Sequence, residues 1–265
     1  MKTILITGAT TGIGKLVALK LHREGHTVLI HGRSESKVQA TLNELNDIRN
    51  SSDIQGFVAD LSNFSEVRRF AQEVKESLDH LDVLINNAGV FKSDSAINAE
   101  GLELRLAVNY LAPVILTTEI EKLLRNGSSP RVINLSSAAQ APVSLAALEG
   151  TEPLIQDSAY AQSKLALTMW SFNLAKEWDF ATVIAVNPGS LLNTRMAHEA
   201  YGQHWSPAEK GGDILYALAT SEEFSQSTGK YFDNDRGQFN HAHPDAYDNL
   251  KIQELISKTN QLIKS

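Results

Sequence analysis

Tyr160 and Lys164 stand four residues apart in "DSAYAQSKLALTMW" (157–170), a run whose apolar residues Leu165, Leu167, Met169 and Trp170 otherwise describe a buried helix. Four residues is one helical turn, so the two side chains share a face. Ser158 offers an N-cap for a helix beginning near Ala159. A phenol beside an ammonium is an acid–base pair, because the positive charge favours the phenolate and lowers a group that ordinarily titrates near about 10. A lysine snorkelling past a half-buried tyrosine looks the same, and the helix alone does not choose between the two.

A second signal lies at the start of the chain, where "TGATTGIG" (Thr7, Gly8, Ala9, Thr10, Thr11, Gly12, Ile13, Gly14) follows an apolar run and opens an amphipathic one. A turn there presents backbone N–H groups to a pyrophosphate. Gly8 would allow the tight turn, Gly12 close backbone approach, and Gly14 close packing of helix on strand. The spacing is not GxGxxG. It is not a P-loop either, since that motif needs glycine where Ala9 stands and Ser or Thr where Leu16 stands. After the second apolar run comes "HGRSESK", with Arg33 and Lys37 and no carboxylate at the strand end itself. An arginine there welcomes a 2'-phosphate, so NADP(H) is favoured over NAD(H); the alternative is an arginine solvated in a turn.

These groups need a scaffold. Short β-rich runs begin at Thr3, Thr27, Ile54, Leu81, Arg131 and Ala181, and longer amphipathic stretches separate them. Strand alternating with helix implies α/β architecture, a parallel sheet covered on both faces by right-handed crossovers. With no linker or composition break, one domain over 1–265 is expected, with a substrate-loop region about 190–210 and an amphipathic C-terminal helix about 245–265. That helix carries Leu250, Leu255, Ile256 and Leu262 near one stripe, for packing on its own domain or against a second copy. "NGSSPR", "AAQAPVSLAALEGTEP" and the tract near "NDRGQFNHAHPD" read as irregular.

"TGATTGIG", "NNAG" (86–89), "YAQSK" and "NPG" (187–189), in that order over roughly residues 1–237, resemble the short-chain dehydrogenase/reductase family. The resemblance implies a Rossmann-type doubly wound sheet and a catalytic tetrad of Asn109, Ser137, Tyr160 and Lys164. It implies a dinucleotide held by the glycine turn, by Asp60 and Leu61 in "VADLS" at the adenine end, by Asn87, Ala88 and Gly89, by Pro188 and Gly189 beside the nicotinamide, and by Thr194 at the carboxamide or pyrophosphate; Tyr160 and Lys164 would touch it too. Alternation lets only one of Ser136 and Ser137 face the cleft, and family position favours Ser137.

The chemistry fits the residue types. Hydride arriving at a carbonyl carbon leaves charge on oxygen, which a nearby phenol neutralises by donating its proton. Ser137 would fix that oxygen by a hydrogen bond. Asn109 would keep a water or backbone group in line with Lys164, or would simply be a satisfied core amide. The long insert between Ser137 and Tyr160 resembles the retinol dehydrogenase-like branch and suggests a bulky hydrophobic carbonyl or alcohol, with Met196, Tyr201 and Trp205 lining its pocket or packing in the core.

Composition excludes several other functions. A formal charge of −7 argues against nucleic acid, and the absence of cysteine excludes disulfides and thiolate catalysis. No apolar run approaches the roughly 18 residues of a membrane helix, so a cytoplasmic protein without membrane attachment is expected. His241 and His243 read as a solvated loop, and no metal is expected. An NAD-linked alcohol dehydrogenase and a dinucleotide-sensing protein without turnover remain as alternatives. A homo-oligomer built on the helix carrying Tyr160 is compatible with the sequence.

Overall fold

Strands buried on both faces must be apolar at nearly every position, and the six runs found in the sequence meet that demand. In the computed structural model, which describes residues 1–50 and 53–264, they form β1 (Thr3–Ile6), β2 (Thr27–Gly32), β3 (Ile54–Val58), β4 (Val83–Asn86), β5 (Arg131–Leu135) and β6 (Thr182–Asn187). Two more strands follow, β7 (Lys230–Asp233) and β8 (Gln238–Asn240), giving an eight-stranded sheet in the order β3-β2-β1-β4-β5-β6-β7-β8. All neighbours are parallel except β7 and β8.

The helices are α1 (Gly12–Arg23), α2 (Glu35–Ile48), α3 (Phe64–Ser77), α4 (Leu104–Leu106), α5 (Ala112–Glu119), α6 (Glu121–Arg125), α7 (Leu145–Leu148), α8 (Gln156–Glu177), α9 (Arg195–Tyr201), α10 (Ala208–Thr220) and α11 (Asn249–Lys264). Strand alternation sorts the core into two layers. Ile4, Ile6, Val83 and Ile85 pack with α1, α2 and α10, whereas Leu5 and Leu84 pack with α3, α5, α8 and α11. The chain reverses direction between β1 and β4, the switch point where such sheets open a crevice at their carboxyl ends.

Three expectations need correction. α8 starts at Gln156, not near Ala159, because the Ala159 N–H already bonds the Ile155 carbonyl (2.9 Å); Ser158 is therefore no N-cap, and its hydroxyl meets the Gln162 amide inside the helix. The tract "NDRGQFNHAHPD" is not wholly irregular. It supplies the turn and β8 of a hairpin with β7, which ends just before it; strands of three and four residues with polar ends do not stand out in a sequence. The insert after Ser137 holds α7, capped by Ser144. α11 packs on its own sheet through Ile252 and Leu255, and Thr259 bonds the buried Tyr110 hydroxyl at 2.6 Å, while Leu250 is exposed. No helix among the described residues is long and apolar enough to cross a membrane.

Candidate active site

The glycine turn is fixed from behind. Gly8 and Gly12 have φ of +66° and +57°, a region that disfavours side chains. A Cβ on Gly8 would stand 2.8 Å from Ala88 Cα, and one on Gly14 would stand 2.3 Å from Asn87 Nδ2 and 2.6 Å from the Gly8 carbonyl oxygen. Gly14 thus packs against a neighbouring loop, not directly against a strand. Asn87 Nδ2 donates to the carbonyls of Thr7 (2.7 Å) and Gly8 (3.0 Å), and the N–H groups of Asn87 and Ala88 both donate to Thr7 Oγ1 at 3.0 Å. Asn87 therefore spends its amide holding the turn. Gly12 faces open space as far as Thr194, whose Cγ2 would lie 3.7 Å from an added Cβ. Thr11 caps α1 without a side-chain bond and no acidic residue occupies the first turn, so the helix start keeps donors for an anion.

Beside the turn sits a histidine that sequence reasoning passed over. His31, 2% exposed at the end of β2, accepts from the Gly8 N–H through Nδ1 (3.3 Å) and contacts the Ala59 carbonyl through Nε2 (3.0 Å), while its ring stacks on Phe70 at 4.7 Å. Burial pushes it from 6.5 to about 4; the Ala59 carbonyl and Asp60 pull the other way without prevailing. The stability this neutral imidazole confers is fully present above pH 6.5 and is lost as pH falls through about 4, a contribution of about 3 kcal/mol. His31→Phe should therefore flatten the acid limb of urea midpoints between those pH values, and an unchanged limb would contradict the assignment.

At the ribose end, Thr10 lies over Gly32, where an added Cβ would stand 2.4 Å from Thr10 Cγ2. Arg33 is exposed, and among the described residues no carboxylate pairs with it. Lys15 is engaged with Glu44 at 2.6 Å. Asp60 Oδ1 accepts from the Ser62 N–H (2.9 Å), and the Asp60 N–H donates to Glu66 (2.8 Å), shaping the turn after β3. The Leu61 side chain is buried in the core, which leaves only its backbone for a ligand.

Three residues converge around Gly89. A Cβ there would be 3.4 Å from Asn109 Oδ1, 3.6 Å from Lys164 Nζ and 3.8 Å from Met196 Cε. Lys164 is buried; its ammonium donates to the Leu135 carbonyl (2.7 Å) and lies 5.5 Å from the centre of the Tyr160 ring. Burial lowers its pKa to about 8. Tyr160 is half-buried, edge-on to Phe91 at 4.9 Å. Asn109 sits in a π-helical turn, Ala107–Leu111, between α4 and α5, a distortion frequent at functional sites. Its amide accepts from the Val90 N–H (2.7 Å) and donates to the Val90 carbonyl and to Ser163 Oγ (both 3.0 Å). Both amide N–H groups are used and Oδ1 holds the Val90 N–H, so the side chain fixes the backbone that follows Gly89.

The two serines, just past the end of β5, differ in burial. Ser136 is buried and bonds the Lys164 carbonyl (3.0 Å) and Thr168 (2.7 Å), while Ser137 is half-buried and its Oγ accepts from the Ala139 N–H (3.1 Å). The Ser137 carbonyl is held twice at 2.9 Å, by the Tyr231 hydroxyl from β7 and by Gln140 Nε2. Burial raises the Tyr231 pKa far above the usual phenol range, helped by Asp233, Asp235, Tyr247 and Tyr160, which places Tyr231 within electrostatic reach of Tyr160. Tyr231 is not legible in the sequence because β7 is short, and Gln140 lies in the irregular insert after Ser137. Phe91 is held likewise: its carbonyl accepts from Arg105 Nε (2.8 Å), and Arg105 pairs in the core with Glu103 (2.7 Å).

After β6, the Asn187 amide bonds Asp233 (3.0 Å) and Asp235 (2.8 Å), and the Pro188 carbonyl accepts from Asn234 (2.8 Å). Gly189 has φ of +124°. Thr194 caps α9, accepting from the Ala197 N–H at 3.3 Å. Met196 reaches the site, Trp205 is 71% exposed and lines nothing, and the side chain of Tyr201, like that of Ala200, lies outside the described residues. His243 bonds its own turn, and no group of three metal-ligating side chains occurs among the described residues.

Residues 2–204 match the family described as short chain dehydrogenase. Retinol dehydrogenase 13 of Homo sapiens is 30% identical over 251 residues, 88% of this chain and 76% of that protein. Polyprenol dehydrogenase of Homo sapiens is 30% identical over 244 residues, 83% of this chain and 73% of that protein. Among solved structures, the Pseudomonas aeruginosa RhlG/NADP active-site complex is 28% identical with a TM-score of 0.72, covering 89% of this chain and 95% of that one. A short chain dehydrogenase from Burkholderia cenocepacia J2315 in complex with NADP is 26% identical with a TM-score of 0.70, covering 88% and 95%. With the matched family spanning both the glycine turn and the Tyr160–Lys164 helix, the chain belongs to the short-chain dehydrogenases, oxidoreductases that act on CH–OH and C=O groups.

Proposed function

We propose that the chain, working as one domain, is an NADP(H)-dependent oxidoreductase that interconverts a bulky hydrophobic carbonyl compound and its alcohol. The carrying observation is the buried Lys164 ammonium, fixed on the Leu135 carbonyl one turn from Tyr160 and beside Gly89, at the carboxyl ends of the strands. Bound NADPH supplies the hydride, delivered to the carbonyl carbon. Tyr160 donates its proton to the carbonyl oxygen as the C=O π pair becomes an O–H bond. Lys164 stabilises the phenolate left behind, and Ser137 holds the substrate oxygen. Asn109 keeps the Gly89–Val90 backbone in register with Lys164. The pyrophosphate fits the open first turn of α1 with Gly12 and Thr194 across from it, and Asp60, Ala88, Pro188 and Gly189 border the remainder.

Arg33 supports the cofactor preference, since NADP accompanies similar solved structures and, among the described residues, no carboxylate pairs with its guanidinium. The names of retinol and polyprenol dehydrogenases support an isoprenoid-like substrate. The test follows NADPH absorbance with a panel of short and long-chain aldehydes and ketones, expecting turnover that improves with apolar size. Arg33→Asp should weaken NADPH by about 10–100-fold, the worth of one charge-assisted contact, and leave NADH nearly unchanged. Unchanged NADPH affinity would favour the NAD-linked alternative, and tight binding without turnover of any substrate would favour a sensor.

A further inference from the structure

His31 is a buried side chain that joins the loop expected to hold the pyrophosphate to the loop expected at the adenine end. On one side its Nδ1 receives the Gly8 N–H (3.3 Å), on the other its Nε2 meets the Ala59 carbonyl (3.0 Å), directly before Asp60 and Leu61. Its own carbonyl receives the Ala9 N–H at 2.9 Å, so one residue fixes two consecutive peptide groups of the glycine turn. An N–H can only donate and a carbonyl can only accept. A single imidazole form satisfies both, neutral with its proton on Nε2. The ring cannot turn away, because Phe70 stacks on it at 4.7 Å with 26° between planes.

We propose that His31 is a positioning residue for dinucleotide binding: as the Nε2–H tautomer it sets the spacing between the glycine turn and the Ala59–Leu61 segment. The proposal rests on the reading of that turn as the pyrophosphate site. Without the imidazole acceptor, the Gly8 N–H loses its partner and the turn must rearrange before it can present its remaining N–H groups. The cost falls on binding. Tyr160 and Lys164 stand on another element and keep their contacts, so the chemical step at saturating NADPH is untouched.

Two measurements test it. Long-range proton–nitrogen NMR of the ligand-free protein at pH 7 should show His31 as one tautomer, protonated on Nε2; the other tautomer or an even mixture overturns the proposal without touching the assigned activity. Steady-state kinetics should show the KM for NADPH raised about 10-fold in His31→Phe, which keeps the stack on Phe70 but loses both polar contacts, with kcat at saturation unchanged. His31→Gln, a flexible amide that can reach both partners without holding their spacing, should recover part of the loss. A wild-type KM for NADPH in His31→Phe, or in His31→Gln should the first variant not fold, overturns the positioning role. A protein that binds neither NADPH nor NADH in any form overturns this proposal and the functional reading together, an outcome distinct from a variant that matches a working wild type.

Discussion

Tyr160→Phe is expected to lower turnover of a carbonyl substrate with NADPH by about 1,000-fold, within the range a positioned general acid contributes, while NADPH affinity stays within about 2-fold. The substitution removes one oxygen and leaves the ring in place. Its edge-on contact with Phe91 at 4.9 Å does not involve the hydroxyl, and Lys164 keeps its bond to the Leu135 carbonyl. Loss of kcat with intact binding is therefore the signature of a group that acts on the transition state. Stopped-flow absorbance for kcat and NADPH fluorescence for affinity separate the two effects. Equal turnover in the variant would remove Tyr160 from the mechanism and with it the acid–base account of the site.

The next largest effect concerns Lys164, whose burial lowers its pKa to about 8. Below that value the ammonium is charged and supports the phenolate; above it the support is withdrawn. Reduction should therefore show kcat/KM falling as pH rises through about 8. Lys164→Met should reduce kcat about 100-fold at pH 7 and abolish that limb, because no ammonium remains to titrate. A pH profile identical in shape to wild type would show that Lys164 does not tune the reaction.

The buried Arg105–Glu103 pair and the Tyr231–Ser137 bond illustrate how far such tuning depends on residues outside the motifs. Each holds a backbone carbonyl one step from the reacting groups: Arg105 that of Phe91, against which Tyr160 packs, and Tyr231 that of Ser137. The π-helical turn at Asn109 works in the same way, turning the amide toward the Val90 backbone N–H and carbonyl.

The sequence by itself determined the α/β architecture, the positions of the six long strands and the shared face of Tyr160 and Lys164, because these follow from local periodicity and from one-turn spacing. Alternation alone left Ser136 and Ser137 undecided, and the choice of Ser137 came from the family resemblance; in the structure both follow the end of β5, Ser136 buried and Ser137 half-buried. Only the tertiary structure decided that α8 begins at Gln156, that the polar tract near residue 235 closes the sheet as a hairpin, and that His31 spans the loops after β1 and β3. Those outcomes depend on partners that are distant in the chain, as Gly8 is from His31 and Ser137 from Tyr231, and nothing in a residue's own neighbourhood encodes which carbonyl or N–H it will meet once the strands are laid side by side.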